Sequence, residues 1–390
     1  MWKRFGCGLL ALLAVVAWQG TGWMARKAEQ EKNRVRARGP HAVSERAAEV
    51  HGGAFVVDLH ADSLLWGRNL KRRTDRGHVD VPRLLEGGVG LQVFGVVTHS
   101  PKGQNYSGNS AADDQITLLA LAQKWPPATW WSRYARAKHQ ARKLRWLAWR
   151  SPALERVGTV AELDDLIARR AAGEAVIGAF LGLEGAHALE GDPGRVEDLF
   201  DAGFRMLGLA HFFDNAAAGS AHGLEKGGLS ELGRAVIREC ERLGVVVDLA
   251  HVSPRAFREA TAMATKPMVV SHGGVDGTCP SPRNLSDAEL RALASTGGVI
   301  GVGLFKGAVC GTTVDATAAA IVHAANTVGV EHVALGSDFD GAVTAPVGAD
   351  GLPTLTEALL RRGLGRPAVE AVLGGNVVRV LRETLPPGDA

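Results

Sequence analysis

Eight short runs of β-branched and other apolar residues recur along the sequence, and stretches with helical periodicity separate them. The runs are AFVVDLHAD (54–62), GLQVFGVVT (90–98), AVIGAFLGLEG (175–185), FRMLGLAH (204–211), VVVDLAH (245–251), MVVSH (268–272), GGVIGVGLF (297–305) and HVALGSDF (332–339). Between them lie patterns such as LSELGRAVIRECERLG, PRAFREATAMAT and VDATAAAIVHAANTVG, each ending near a glycine or before a proline. Strands that are almost continuously apolar are buried on both faces, which is the signature of a parallel sheet covered by helices. Eight such units predict a closed (β/α)8 barrel of the TIM type, and a length of 390 residues accommodates one.

The termini of the runs carry a second pattern. His60 and Asp62 end the first, Glu184 the third, His211 the fourth, His251 the fifth, His272 the sixth and Asp338 the eighth. In a barrel of this type the active site is built at the carboxyl ends of the strands, so these distant positions converge. A single histidine at a strand end is more often a hydrogen-bonded structural residue than a ligand. Six of eight ends carrying ionisable groups are harder to bury without a cation. Imidazoles mixed with carboxylates, and no cysteine among them, fit Zn²⁺ or a similar divalent transition ion better than Ca²⁺ or Mg²⁺. Five ligands exceed the need of one tetrahedral ion. Shared between two ions about 3.5 to 4 Å apart, with one carboxylate bridging, they leave room for a water that becomes hydroxide near neutral pH.

The first residues differ in kind. MWKR precedes the apolar run FGCGLLALLAVVAWQGTGWM, and the charged stretch ARKAEQEKNRVRARGP follows it. Residues 1–25 read as an uncleaved signal anchor, with a removed signal peptide as the alternative, and 26–49 as a charged linker. Either reading exports the remainder to an extracytoplasmic side, periplasmic or extracellular. A net charge of +3 with no long basic block in the body argues against nucleic acid as partner. The connection after the second run holds a Trp/Arg-rich insertion at about 101–150, in which five of the nine tryptophans mingle with arginine and lysine. It reads either as an outer helix packed on the barrel by its tryptophans or as a helix lying on a membrane surface. Beyond Cys7, three cysteines remain, Cys240, Cys279 and Cys310, enough for one disulfide and one thiol.

Taken in order, DLHAD, LGLEGAH, LGLAHFFDN, ECERLGVVVDLAHVS, PMVVSH, PRNLSD, GSDFDG and LGGNVVRVL resemble the membrane dipeptidase family (renal dipeptidase, peptidase family M19) over roughly residues 50–385. The resemblance implies a barrel of the metal-dependent hydrolase superfamily and hydrolysis of dipeptides by a hydroxide bridging two Zn²⁺ ions. It makes His60 and Asp62 ligands of one ion, His251 and His272 ligands of the other, and Glu184 the bridge. His211 would contact the scissile carbonyl oxygen, Arg283 would hold the substrate carboxylate, and Asp338 would sit beside the bridging water and the substrate amino group. The family also implies a Cys279–Cys310 disulfide and a homodimer.

Departures from the family pattern are Ala210 and Ala250, where a hydroxyl often precedes the histidine, and Gly273 in SHGG. Phe305 stands where an aromatic hydroxyl often assists carboxylate binding, with Lys306 beside it. These changes bear on substrate preference and leave the ligand set whole. Two other readings compete. One is a related binuclear-metal hydrolase acting on a β-lactam, a lactone or another carboxylate-bearing substrate. The other is a catalytically silent binding scaffold, which loss of a ligand or of Asp338 would favour; all are present.

Overall fold

The computed structural model describes residues 20–388. Nine strands form one parallel sheet: β1 (Val56–Ala61), β2 (Val89–Val97), β3 (Leu154–Arg156), β4 (Ile177–Glu184), β5 (Phe204–Gly208), β6 (Val246–Asp248), β7 (Val269–Gly273), β8 (Val299–Val302) and β9 (Val333–Leu335). The order β2-β1-β9-β8-β7-β6-β5-β4 is closed by pairing of β2 with β4, from Leu91↔Gly178 to Val97↔Glu184. The eight apolar runs are therefore the eight staves of a closed barrel. β3 is an addition paired to the start of β4, three residues too short to carry a periodicity signal.

Closure gives the interior its own core. Val57, Leu59, Leu91, Val93, Phe180, Met206, Val246, Val269, Val299 and Ala334 fall in one buried cluster to which all eight staves contribute, and only the inside of a barrel lets opposite strands share neighbours. Val377, Val380 and Leu381 of the last helix, Asn376–Thr384, join the same cluster. That helix is tied to the strand starts: Asn376 donates to the carbonyls of Val330 and Val333 at 2.7 and 2.8 Å, and Arg379 donates to Gly297 at 2.7 Å. The outer helices begin where the sequence offers hydroxyl caps, as at Ser230, Ser253, Ser286 and Thr313.

Two regions depart from a simple barrel. Residues 26–49, expected as a charged linker, are held against it. A helix over 20–32 buries Glu29, whose carboxylate accepts from Arg68 and, at 2.9 Å, from Arg76, and Asn33 accepts from the Ala342 amide at 2.9 Å. Most of the apolar run at 5–24 lies outside the described residues. Among the described residues no helix is long and apolar enough to cross a membrane. The insertion folds into the helices Gln115–Ala122 and Arg133–Trp149. Trp125 is buried with Leu65, Trp66 and Val97, whereas Trp131, Trp146 and Trp149 are exposed. The tryptophans thus divide between packing and solvent. Cys279 and Cys310 are bonded, with Cα atoms 5.3 Å apart, and Cys240 is a buried thiol.

Candidate metal centre

At the carboxyl ends of the strands, Glu184 sits at the middle of a ring of imidazoles. Its Oε1 lies 3.1 Å from His251 Nε2, 3.4 Å from His272 Nε2 and 3.8 Å from His60 Nε2, and its Oε2 lies 3.2 Å from His211 Nε2. Asp62 Oδ1 is 3.3 Å from His60 Nε2. Three overlapping groups have ligand atoms within 4.8 Å of one another: His60, Asp62 and Glu184; Glu184, His211 and His251; His60, His272 and Asp338. All seven side chains are buried. Every ionisable residue singled out at a strand end is in this cluster.

The backbone is bent to achieve this. His251 and Asp338 both have positive φ, 65° and 61°, and each stands three residues past the end of its strand. Left-handed conformations at residues other than glycine are uncommon and concentrate at functional sites.

Next, the charge. Burial raises Glu184 well above the ordinary carboxylate range and pushes Asp338 up to about 8. Burial alone would lower His60, but the carboxylates of Asp62, Glu184 and Asp338 outweigh it and lift it to about 10. The cluster is short of positive charge. His211, His251 and His272 are lowered by burial, His211 to about 4, which leaves them as the neutral imidazoles that bind metals.

Hydrogen bonding fixes which nitrogen is free. Ser271 Oγ donates to Asp248 at 2.6 Å, so it accepts from His272 Nδ1 at 2.9 Å and leaves Nε2 bare. His211 Nδ1 donates to the His99 carbonyl at 2.9 Å, which turns its Nε2 toward Glu184 in the same way. His60 Nε2, Asp62 Oδ1 and Glu184 Oε2 are buried without a hydrogen bond. Orphaned acceptors, bare imidazole nitrogens and missing positive charge together fit divalent cations.

Arg283, in the loop after β7, is also buried, donates to the His272 carbonyl, and lines the same cavity as Glu184, His211, His272 and Asp338. The cavity measures about 480 Å³. Phe305 lines it as well.

Residues 44–386 match the family model of the membrane dipeptidases, peptidase family M19. The chain belongs to this family. A relative in Schizosaccharomyces pombe, described as an uncharacterized dipeptidase, is 34% identical over 53% of this chain and 53% of its own length. A dipeptidase of Claviceps purpurea, tcpJ, is 29% identical over 79% of this chain and 69% of its own. The match to the first of these thus spans about half of that relative's length. Among solved structures, a metallopeptidase of Rhodobacter sphaeroides liganded with a phosphinate mimic of L-Ala-D-Ala superposes with a TM-score of 0.67 at 24% identity, over 84% of this chain and 99% of that one. At that identity the likeness speaks for the fold.

Within this M19 barrel, two supporting aspartates, Asp58 and Asp248, were not singled out from sequence. Asp58 accepts from the Ser337 amide and hydroxyl at 2.7 and 2.6 Å, stapling β1 to the β9 end beside Asp338. Asp248 does the same for β7 through Ser271. A lone aspartate inside an apolar strand, as in VVDLH and VVVDLAH, was the available signal. Asp340 shapes the loop after β9, accepting from Arg68, from Ser63 at 2.5 Å and from the His78 amide at 2.7 Å. His99, His187 and His222 stand outside the metal-type groups: His187 meets Thr98, and His222 meets the Tyr106 carbonyl.

Proposed function

We propose that this chain hydrolyses dipeptides at a binuclear zinc centre. The observation that carries the reading is one buried glutamate, Glu184, reached by four imidazole nitrogens in a cavity that Arg283 and Asp338 also line. His60 and Asp62 would hold one ion, His251 and His272 the other, with Glu184 shared. When bound, two such ions supply a hydroxide near neutral pH and polarise a carbonyl.

The remaining work falls to the chain. Arg283, planar and permanently charged, holds the substrate carboxylate and sets the distance to the scissile bond. His211, with Nδ1 committed to the His99 carbonyl, turns Nε2 toward the position of the carbonyl oxygen. Asp338 accepts the proton released at attack and passes it to the leaving amine, a role suited to a carboxyl that lines the cavity beside Glu184. Family membership and the dipeptidases among the relatives support the substrate class.

The location proposed is extracytoplasmic, held by the N-terminal segment. It is supported by the apolar run at 5–24 and by the Cys279–Cys310 bond, since disulfides persist in oxidising compartments. A homodimer is carried over from the family, and sedimentation of the purified protein decides it.

The test is elemental analysis of the purified protein paired with hydrolysis of L,L- and L,D-dipeptides. About two zinc ions per chain, and turnover that stops on chelation and returns with zinc, is the expected result. Asp338→Asn should keep the metal and lose turnover. Absence of bound metal after reconstitution overturns the mechanism.

A further inference from the structure

The family match begins at residue 44, yet part of the cavity wall comes from before it. Met24, Ala25, Ala28 and Lys32, on the helix over 20–32, line the same cavity as Glu184 and Arg283. The helix is fastened at several points: Thr21 Oγ1 donates to the Ala122 carbonyl at 3.3 Å, Glu29 is gripped by Arg68 and Arg76, and Arg36 donates to Ala345 at 3.0 Å just beyond it. Trp66, Ile116, Leu118 and Leu119 line the same cavity, so this chamber is largely apolar.

The order of the staves places this chamber relative to the arginine. Around the closed ring, β7 lies four positions from β2, directly across the barrel. Arg283 follows β7, whereas Trp66 follows β1 and Ile116 and Leu119 follow β2. A substrate whose carboxylate rests on Arg283 therefore points its amino-terminal residue toward the apolar chamber. A dipeptide of two small residues would leave that wall wet, since about 480 Å³ is in the range that encloses a drug-sized ligand.

We propose that the helix over 20–32 is a substrate-selecting wall, and that the site prefers dipeptides whose amino-terminal residue carries a large apolar side chain. This rests on the dipeptidase reading above. Filling an apolar chamber is worth about 10- to 100-fold in kcat/KM.

The experiment uses the full chain, zinc-loaded in detergent, with Phe-Ala, Leu-Ala and Gly-Ala as substrates. The expected result is a kcat/KM for Phe-Ala and Leu-Ala about tenfold or more above Gly-Ala, and a fall in that ratio of about fivefold or more in Ala28→Trp, which fills the chamber. Should Ala28→Trp fail to fold or to bind zinc, Met24→Asp carries the same test, because Met24 is 63% exposed and tolerates a charge. Cleavage of all three substrates at similar kcat/KM, or a ratio that neither variant changes, overturns the selecting wall and leaves the dipeptidase reading standing. Cleavage of none of them, nor of their L,D counterparts, by a zinc-loaded chain removes both.

Discussion

Gly95→Ala is the sharpest probe of the metal centre, because it adds one methyl group and removes nothing. Gly95 lies on β2 opposite His60 and Asp62, and a β-carbon there would sit 2.4 Å from Asp62 Oδ1, 2.7 Å from His60 Cε1 and 2.8 Å from His60 Nε2. Ordinary contact begins near 3.4 Å, so the carboxylate must retreat by about 1 Å and the imidazole by somewhat less. Metal–ligand distances tolerate only about 0.2 Å. Both side chains are buried and neither can swing into solvent. The expected loss is therefore at least one zinc ion per chain and about 100-fold or more in kcat/KM, with roughly 1–3 kcal/mol of overpacking strain in stability. Elemental analysis, dipeptide hydrolysis and thermal melting read these out. Gly182→Ala on the neighbouring β4 is the control, since its nearest neighbour, Val93 Cγ1, is 3.3 Å away and no ligand is touched. A Gly95→Ala protein with full zinc content and full turnover would refute the placement of His60 and Asp62 as ligands.

Ser271→Ala removes the acceptor that orients His272 Nδ1, and chelator competition should show zinc affinity lower by about 10- to 100-fold with the fold retained. Asp340 has its carboxyl held well below the usual range: burial opposes this, but Arg68 outweighs it, aided by hydrogen bonds from His78 and Ser63. Its contribution to stability is therefore fully present above the ordinary aspartate pKa and is lost as pH falls through the depressed one. Asp340→Asn should cost about 1–3 kcal/mol in denaturant unfolding at pH 7, by leaving the buried Arg68 with only Glu29 and the Val79 carbonyl as partners, and the gap to wild type should narrow on acidification below about pH 4. The double variant Cys279→Ser/Cys310→Ser opens a cross-link between residues 31 apart and should lose roughly 4 kcal/mol, while adding reductant to it should change nothing further.

The barrel was legible because each stave is an almost continuously apolar run, and because the ionisable residues that end six of the eight all fall at the same end. His60, Glu184, His251 and His272 could be gathered from sequence on topology alone: a parallel barrel has one carboxyl face, and everything placed there meets. Other features depended on partners far along the chain. Glu29 looks like one more solvated charge in ARKAEQEKN until Arg68 and Arg76 close on it. Asp58 and Asp248 sit inside strands, and their use as staples depends on Ser337 and Ser271, 279 and 23 residues away. Gly95 was one of many glycines, and the room it leaves for His60 and Asp62 exists only once β1 and β2 are paired. The strand Leu154–Arg156 is three residues long and is specified by its pairing with β4 rather than by its own pattern.

The left-handed residues explain why asparagine is the right replacement at position 338. His251, Asp338, Asp340 and Ala342 all have φ between 61° and 65°, a conformation that costs most side chains about 1–2 kcal/mol. At Asp338 the turn is fixed from several sides: the Ser337 carbonyl accepts from the Leu304 amide at 3.1 Å, Ser337 Oγ accepts from the Phe339 amide at 3.0 Å, and the Asp338 carbonyl accepts from the Gly341 amide at 3.1 Å. These contacts hold the backbone whatever side chain it carries, so the strain is sustained by the loop rather than by the carboxylate. Asparagine shares aspartate's shape and its tolerance of this conformation. Asp338→Asn therefore changes charge and proton affinity while leaving the direction of the side chain as it was. A β-branched residue there would shift the loop that also carries Asp340, and its loss of turnover would say nothing about proton transfer.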